Sequence, residues 1–391
     1  MPHPRPARPP ASDTSPPLQP PSGDHLPELD GLRAIAVLMV LLLHTKPAWF
    51  FWGWAGVDLF LVLSGFLITR ILLVNRGQPG MLWSFYGRRA LRIWPVYYLT
   101  LLATALIYVL AAAANPELDP GVPAGHWLSL VFLQQTEQYF GGPARPYIWF
   151  FAHSWSVAVE EQFYLIWPLL LIGLAIRPSR LALLGAIALG AACIARAQGM
   201  SMYLLLTRID GLILGAAVAF SVAGPQPWLH RVQPRHLAGA ALVGALLVGL
   251  YLWEGARDEG RAFGTRAIAV PGFALLFTAA LCTALQNIGH RRLAWLRSQP
   301  LRWVGRISYG LYMYHVPVHA LVLLAVKYGW FGPIAAKLVL WAGSFALAHV
   351  SYEYFEKRIL ALRRALPYRS GAQSMDGARG ALRSERSKHA A

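Results

Sequence analysis

Charge is scarce in this chain. Only 14% of its 391 residues are Asp, Glu, Lys or Arg, against roughly 25% in a soluble globular domain. Acids are scarcer still, 18 against 35 Lys and Arg. Cysteine is nearly absent: Cys193 and Cys282 stand alone in apolar stretches, which excludes a disulfide framework and any redox or metal spacing. There is no Walker loop, no dinucleotide-binding glycine fingerprint, no GxSxG elbow and no His/Cys metal set. Nucleotide hydrolysis, a Rossmann cofactor, α/β-hydrolase chemistry and a bound metal are therefore not indicated. The net charge of +17 does not signal nucleic acid either, because the arginines fall between apolar runs, where they report membrane topology.

What is abundant is apolar. Hydrophobic residues make up 56% of the chain, with 15 Trp among them. Apolar runs fall at about 32–45, 57–74, 93–112, 157–176, 180–197, 208–223, 237–253, 267–286, 307–326 and 333–352, several close to the ~20 residues that cross a bilayer as a helix. Residues 127–135 form a shorter run between Pro and Gly, read as re-entrant or lying on the outer surface. With ten crossings and both termini cytoplasmic, the Arg-rich segments 75–92, 287–306 and 353–391 all fall inside, as the positive-inside rule requires. The expected fold is all-α, a polytopic bundle of about ten transmembrane helices in the inner membrane. Three divisions follow: a proline-rich disordered tail over 1–27, the membrane domain over 28–355, and a basic disordered tail over 356–391.

Four groups of polar residues interrupt the apolar background. In the first, Asp30 and Arg33 open an apolar helix and His44 closes it. Eleven residues bring Arg33 and His44 to one face, about 16 Å apart along the axis. They form either a working polar stripe or a headgroup arginine with a snorkelling histidine. The second is FYGRRALRIWPVYY (85–98), where Arg89 and Arg92 stand one turn apart. They either grip a diphosphate or anchor a span on the positive side. The third, HSWSVAVEEQFYLIWP (153–168), carries Glu160 and Glu161 into an apolar helix. Helical spacing sets His153, Glu160, Tyr164 and Trp167 on one stripe, with Ser156 one turn before Glu160. This is a base with its orienting carboxylate, or a structural network. The fourth is a scatter: Asp58 and Ser64, Arg208 and Asp210, Tyr309, Tyr312, Tyr314 and His315. Each alone reads as helix–helix glue, and together they imply a polar cavity.

The segments LDGLRAIAVLMVLLLH (29–44), GVDLFLVLSGFLITRIL (56–72), FYGRRALRIWPVYY, HSWSVAVEEQFYLIWPLLL (153–171), RIDGLILG (208–215) and GRISYGLYMYHVPV (305–318) resemble, in order, the motifs of the acyltransferase-3 membrane O-acyltransferases. The resemblance covers 28 to about 355. It implies a bundle that takes an acyl group from cytoplasmic acyl-CoA, acetyl by family habit, and delivers it to a hydroxyl of a carbohydrate or glycosylated small molecule. It also implies that Arg33 and His44 are required, that Arg89 and Arg92 contact acyl-CoA, and that Glu160 and Glu161 form the acidic motif. On this reading His44, Glu160 and Glu161 are the expected catalytic residues, with Glu160 expected to assist His44. Arg33, Arg89 and Arg92 hold the donor; Asp30, Asp58, His153, Ser156, Tyr164, Asp210, Tyr309 and His315 support a polar cavity. The rival class is a transporter using the same polar stripes as a solute or proton path; a non-catalytic receptor or scaffold is a third.

Overall fold

The structure, a computed structural model, describes residues 26–114, 124–134, 151–224, 228–257 and 263–368. Among these residues every regular element is helical. The long helices are α1 (Pro27–Thr45), α2 (Ala55–Val74), α3 (Met81–Ala114), α4 (Trp155–Gly173), α5 (Pro178–Ala197), α6 (Ile209–Ala223), α7 (Pro234–Arg257), α8 (Phe263–Gln286), α9 (Gln299–Lys327) and α10 (Pro333–Ser351). Pro27, Pro178 and Pro333 sit at helix starts, where a fixed φ helps and no N–H is missed.

Nine of the described helical segments are long and apolar enough to cross a membrane. α1 falls outside that set because Glu28, Asp30 and Arg33 crowd its first two turns. It nonetheless runs through the interior, with Ala34, Ala36 and Val37 fully buried. α1 packs against α9 and α2, and α2 packs most extensively on α6. α5 and α7 lie at the periphery and turn Leu183, Ile187, Ile194, Leu242 and Leu246 outward, as lipid-facing surfaces do.

Lipid supplies no hydrophobic force to press helices together, so association depends on close packing and buried polar contacts. Glycine provides the first. A Cβ on Gly65 would run into the Leu212 carbonyl, and one on Gly215 into the Val62 carbonyl. The two glycines sit on facing helices and let the α2 and α6 backbones nearly touch. Gly305 does the same for α9 against the Asp30 carbonyl of α1. Ion pairs provide the second. Arg208 Nη1 donates to both carboxylate oxygens of Asp58, at 2.9 and 3.0 Å. Its guanidinium lies between the Trp54 and Trp155 rings, 4.9 and 5.1 Å from their centroids. Arg196 of α5 grips Asp210 of α6 through two bonds, at 2.6 and 3.1 Å.

The short apolar run expected not to cross forms a 3-10 helix, Ala124–Val131, about 16 Å long at that geometry. It is held between α3 and α4: Tyr97 and Tyr98 donate to the carbonyls of Ser129 and Leu130 at 2.8 Å, and Gln162 donates to that of Phe132 at 3.0 Å. The other end of the expected domain needs correction. α10 does not stop at 355. A π-helical turn, Tyr352–Glu356, carries it into a short helix α11 (Lys357–Ala361) and a 3-10 turn, Leu362–Ala365. The tail expected from 356 is therefore folded as far as 368; its remainder, like residues 1–25, lies outside the described residues.

Asp58 and Arg208 are 1% and 4% exposed, so removing one partner strands a buried charge. Arg208→Met is expected to cost about 3–5 kcal/mol, and the double variant Asp58→Leu with Arg208→Met to recover most of it. Thermal unfolding of the detergent-solubilised protein, followed by tryptophan fluorescence, measures both. Equal losses in the single and double variants would show that the pair is not coupled.

Candidate active site

α1, α2, α3, α4 and α9 surround a cleft enclosing about 750 Å³, part of it open to solvent. Arg33, Arg89 and Arg92 line it together with Glu160, Ser64, Tyr164, Ser156, Tyr309 and Tyr312, against an apolar wall that includes Val57, Phe60, Leu67 and Ile93. α1 delivers Arg33, which also stands 3.7 Å from Asp30. α3 delivers Arg89 and Arg92 from adjacent turns of one face. The Arg89 guanidinium stands over the Phe85 and Tyr164 rings, 5.8 Å from each centroid, and lines the cleft.

Glu160 of α4 is answered on both oxygens. Ser64 of α2 donates to Oε1 at 2.9 Å, and Tyr164, one turn along α4, donates to Oε2 at 2.8 Å. Arg33 and Arg89 both act on this carboxylate electrostatically. Further along the cleft, the Tyr312 hydroxyl donates to the His153 carbonyl at 2.7 Å. Its single hydrogen is then committed, so Ser156, 2.7 Å away, is the donor to Tyr312.

Beyond Tyr312 three imidazoles meet. The His44 and His315 rings pack edge to face with centroids 4.8 Å apart, and those of His153 and His315 at 5.3 Å. Tyr312 touches the pair, 5.6 Å from His153 and 5.7 Å from His315. Each imidazole has one nitrogen against a backbone carbonyl: His44 Nδ1 on Val40 at 2.9 Å, His315 Nδ1 on Tyr312 at 2.6 Å, and His153 Nε2 on Met313 at 3.1 Å. A carbonyl can only accept, so those nitrogens carry the hydrogen. In the neutral rings the lone pairs are left on His44 Nε2, His315 Nε2 and His153 Nδ1. The last two are buried and unpartnered among the described residues. Arginines at one end and imidazole lone pairs at the other make a site that can hold an anion and take a proton.

The structure thus brings Arg33, Arg89, Arg92, Glu160, Ser156, Tyr164 and Tyr309 onto one cleft, and His44, His153 and His315 into one cluster beyond it. It does not make the expected pairing of Glu160 with His44. Glu160 bonds to Ser64 and Tyr164, while His44 meets His315. Nor does His153 extend the Glu160 stripe: it sits in a 3-10 turn, Ala152–Ser154, ahead of α4, and reaches α9. Glu161 turns from the cleft toward α3, where Trp94 donates to it at 3.3 Å. Asp58 and Asp210 are consumed by their ion pairs and do not line the cleft.

Two residues escaped the sequence reading. Glu356, at the end of the π-helical turn, points its Oε1 toward Gly310, buried and without a hydrogen-bond partner among the described residues. Arg363 follows it near the base of α3. Both lay in the stretch read as a tail, although YEYFEKRIL continues the apolar period of the preceding helix.

The acyltransferase domain model matches residues 26–352, a span that holds the whole cleft and all three histidines. A putative peptidoglycan O-acetyltransferase, YrhL of Bacillus subtilis, is 31% identical over 360 residues, 86% of this chain and 55% of its own length. The peptidoglycan O-acetyltransferase OatA of Listeria monocytogenes is 29% identical over 364 residues, covering 86% of this chain and 56% of that protein. The O-acetyltransferase OatA of Staphylococcus aureus is 29% identical over 357 residues, covering 86% and 57% respectively. The chain spans about half the length of these curated relatives. No solved structure matches it. With most of the described bundle and its cleft inside the matched span, the chain belongs to the acyltransferase-3 family.

Proposed function

We propose that this protein is a membrane O-acetyltransferase that moves an acetyl group from acyl-CoA on the cytoplasmic side of the inner membrane to a hydroxyl of an envelope carbohydrate. The observation that carries this reading is one cleft lined by three arginines, Ser64, Glu160 and Tyr164 that ends at Tyr312, whose ring meets the His153 and His315 rings beyond it. An acyl-CoA has the matching division: a polyanionic nucleotide at one end and an uncharged arm ending in the thioester at the other. Arg89 and Arg92, with Arg33, take the diphosphate through charge-assisted, fork-like bonds. The arm extends toward His44, about 16 Å from Arg33 along α1. The acceptor class rests on the relatives, two of which are named for peptidoglycan.

At the far end His44 acts through Nε2. It removes the acceptor hydroxyl's proton as the oxygen attacks the thioester carbonyl. The C–S bond breaks, and the departing thiolate takes the proton back from the imidazolium, giving the ester and free CoA. The same lone pair supports a two-step order, in which Nε2 attacks first and the acyl-imidazole is then cleaved by the hydroxyl. Val40 sets the tautomer in both. Glu160 is no direct base here. Its two hydroxyl partners make it an ordered element of the wall within the field of Arg33 and Arg89.

Membranes holding the wild type or His44→Ala, given acetyl-CoA labelled in the acetyl group, test the reading. CoA release is expected to fall by about 100-fold or more in the variant, the usual scale for a lost general base. Label retained on wild-type protein in the absence of acceptor would assign the two-step order. Equal CoA release from the two at matched expression would overturn the role of His44; no release by either, with acyl donors of any length, would favour transport. Arg89→Ala and Arg92→Ala are expected to raise KM for acetyl-CoA by about 10-fold or more each, the scale of a lost hydrogen bond to a charged group. An unchanged KM would remove the donor from that end of the cleft.

A further inference from the structure

We propose that residues 357–368, the segment that follows the last span, complete the donor site, with Arg363 as the guanidinium that takes the ribose 3′-phosphate of coenzyme A. The proposal rests on the acyl-CoA reading and assigns a part of the donor that the cleft leaves unassigned. Coenzyme A carries a diphosphate in line with its pantetheine arm and a separate phosphate on the ribose, beyond the arm's end. Arg33, Arg89 and Arg92 line the cleft and suit the diphosphate. Arg363 stands outside that lining, near enough to Arg92 and Arg89 for their charges to act on it.

The segment is built to be there. The π-helical turn Tyr352–Glu356 adds a residue to one turn and redirects the helix that follows, a device frequent at functional sites. The chain then packs on the base of α3 and is fastened by three contacts. Arg88 Nε donates to the Leu366 carbonyl at 2.6 Å, Ser84 donates to that of Pro367 at 2.9 Å, and the Arg88 guanidinium lies over the Tyr368 ring, 4.6 Å from its centroid. Gly87 makes room, since a Cβ there would come within 2.7 Å of the Leu366 side chain. Arg88 is thus spent on the strap, and its neighbours Arg89 and Arg92 are left for the cleft.

Arg363 has no such partner. Its Nε is buried without a hydrogen bond among the described residues, and no salt bridge joins it to an acid there. The charges that act on it most strongly are those of Arg92, Arg89 and Arg88. Folding a fourth guanidinium against three others is unfavourable unless an anion joins them. A phosphate meets that need, and the planar fork of arginine fits it in two-toothed fashion.

The test compares acetyl-CoA with 3′-dephospho-acetyl-CoA as donors for the wild type, Arg363→Gln and Leu366→Ser in native-lipid nanodiscs. The wild type is expected to prefer acetyl-CoA through KM by about tenfold, one charge-assisted contact. Arg363→Gln is expected to raise KM for acetyl-CoA to that of the dephospho donor, with kcat and the dephospho KM unchanged. Leu366→Ser, which loosens the strap without touching the guanidinium, is expected to lose part of the same preference. A preference that survives in Arg363→Gln, or KM values that rise equally for both donors, would overturn the proposal; the second result would assign Arg363 to structure or to a lipid phosphate. A wild type that uses neither donor would overturn the acyl-CoA reading itself, and this inference with it.

Discussion

A polar group inside a bilayer must be answered by the protein, because no water is there to do it. That requirement sorts the buried polar residues of this molecule into two sets. Asp58, Arg208, Arg196 and Asp210 answer one another with near-ideal geometry, and Trp54 and Trp155 close over the Arg208 guanidinium. They join α2, α5 and α6, and every carboxylate oxygen of Asp58 and Asp210 is bonded. Among the described residues, His315 Nε2 and His153 Nδ1 are buried and unanswered. In a membrane interior an unmet lone pair beside a cleft is the exception, and such exceptions mark where a substrate group belongs.

The two sets depend on each other. Lone pairs and unpaired guanidiniums weaken the bundle, and the backbone contacts at Gly65, Gly215 and Gly305 hold together the helices that carry them. α1 is the clearest case. Its first turns carry Glu28, Asp30 and Arg33, yet it lies in the interior. Gly305 lets α9 meet it at Asp30, and Gly31 brings the Leu296 carbonyl against it. Glu28 accepts from the Gly289 N–H at 3.0 Å. The base of α1 is thereby clamped, and the direction of Arg33 with it.

Much of this was legible in the sequence, because membrane helices announce themselves by length and apolarity, and paired arginines by their spacing. What was not legible was depth and partnership. Arg208 and Asp210 are two residues apart and cannot face each other on a helix. Each therefore needed a partner from elsewhere, and Arg196, unremarked inside the apolar run 180–197, proved to be one. Glu160 was matched to His44 on chemical grounds, but it sits at the level of Arg33 and Arg89, at the opposite end of α1 from the histidine. His44 and His315 were both visible, yet nothing in one dimension shows that residues 271 positions apart share an edge-to-face contact. The strap at 357–368 was lost because its basic composition outweighed a helical period that continued past Ser351.

The division of charge along the cleft bears on how a reaction can be completed across a bilayer. On the proposed acyl-CoA reading, coenzyme A is too highly charged to enter hydrocarbon, so its phosphates would stay at the face where they bind and only the thioester would have to reach the acceptor. The site repeats that division: guanidiniums, hydroxyls and one ordered carboxylate line the cleft, and imidazoles able to exist uncharged stand beyond it. On the same proposal, a cation placed beside His44 would disfavour the imidazolium formed when it takes the hydroxyl's proton. Distance from the arginines therefore serves the chemistry as well as the reach of the arm. By the same reasoning a solute carrier would gain nothing from concentrating its cations at one end, since its cargo must leave the far side as readily as it entered.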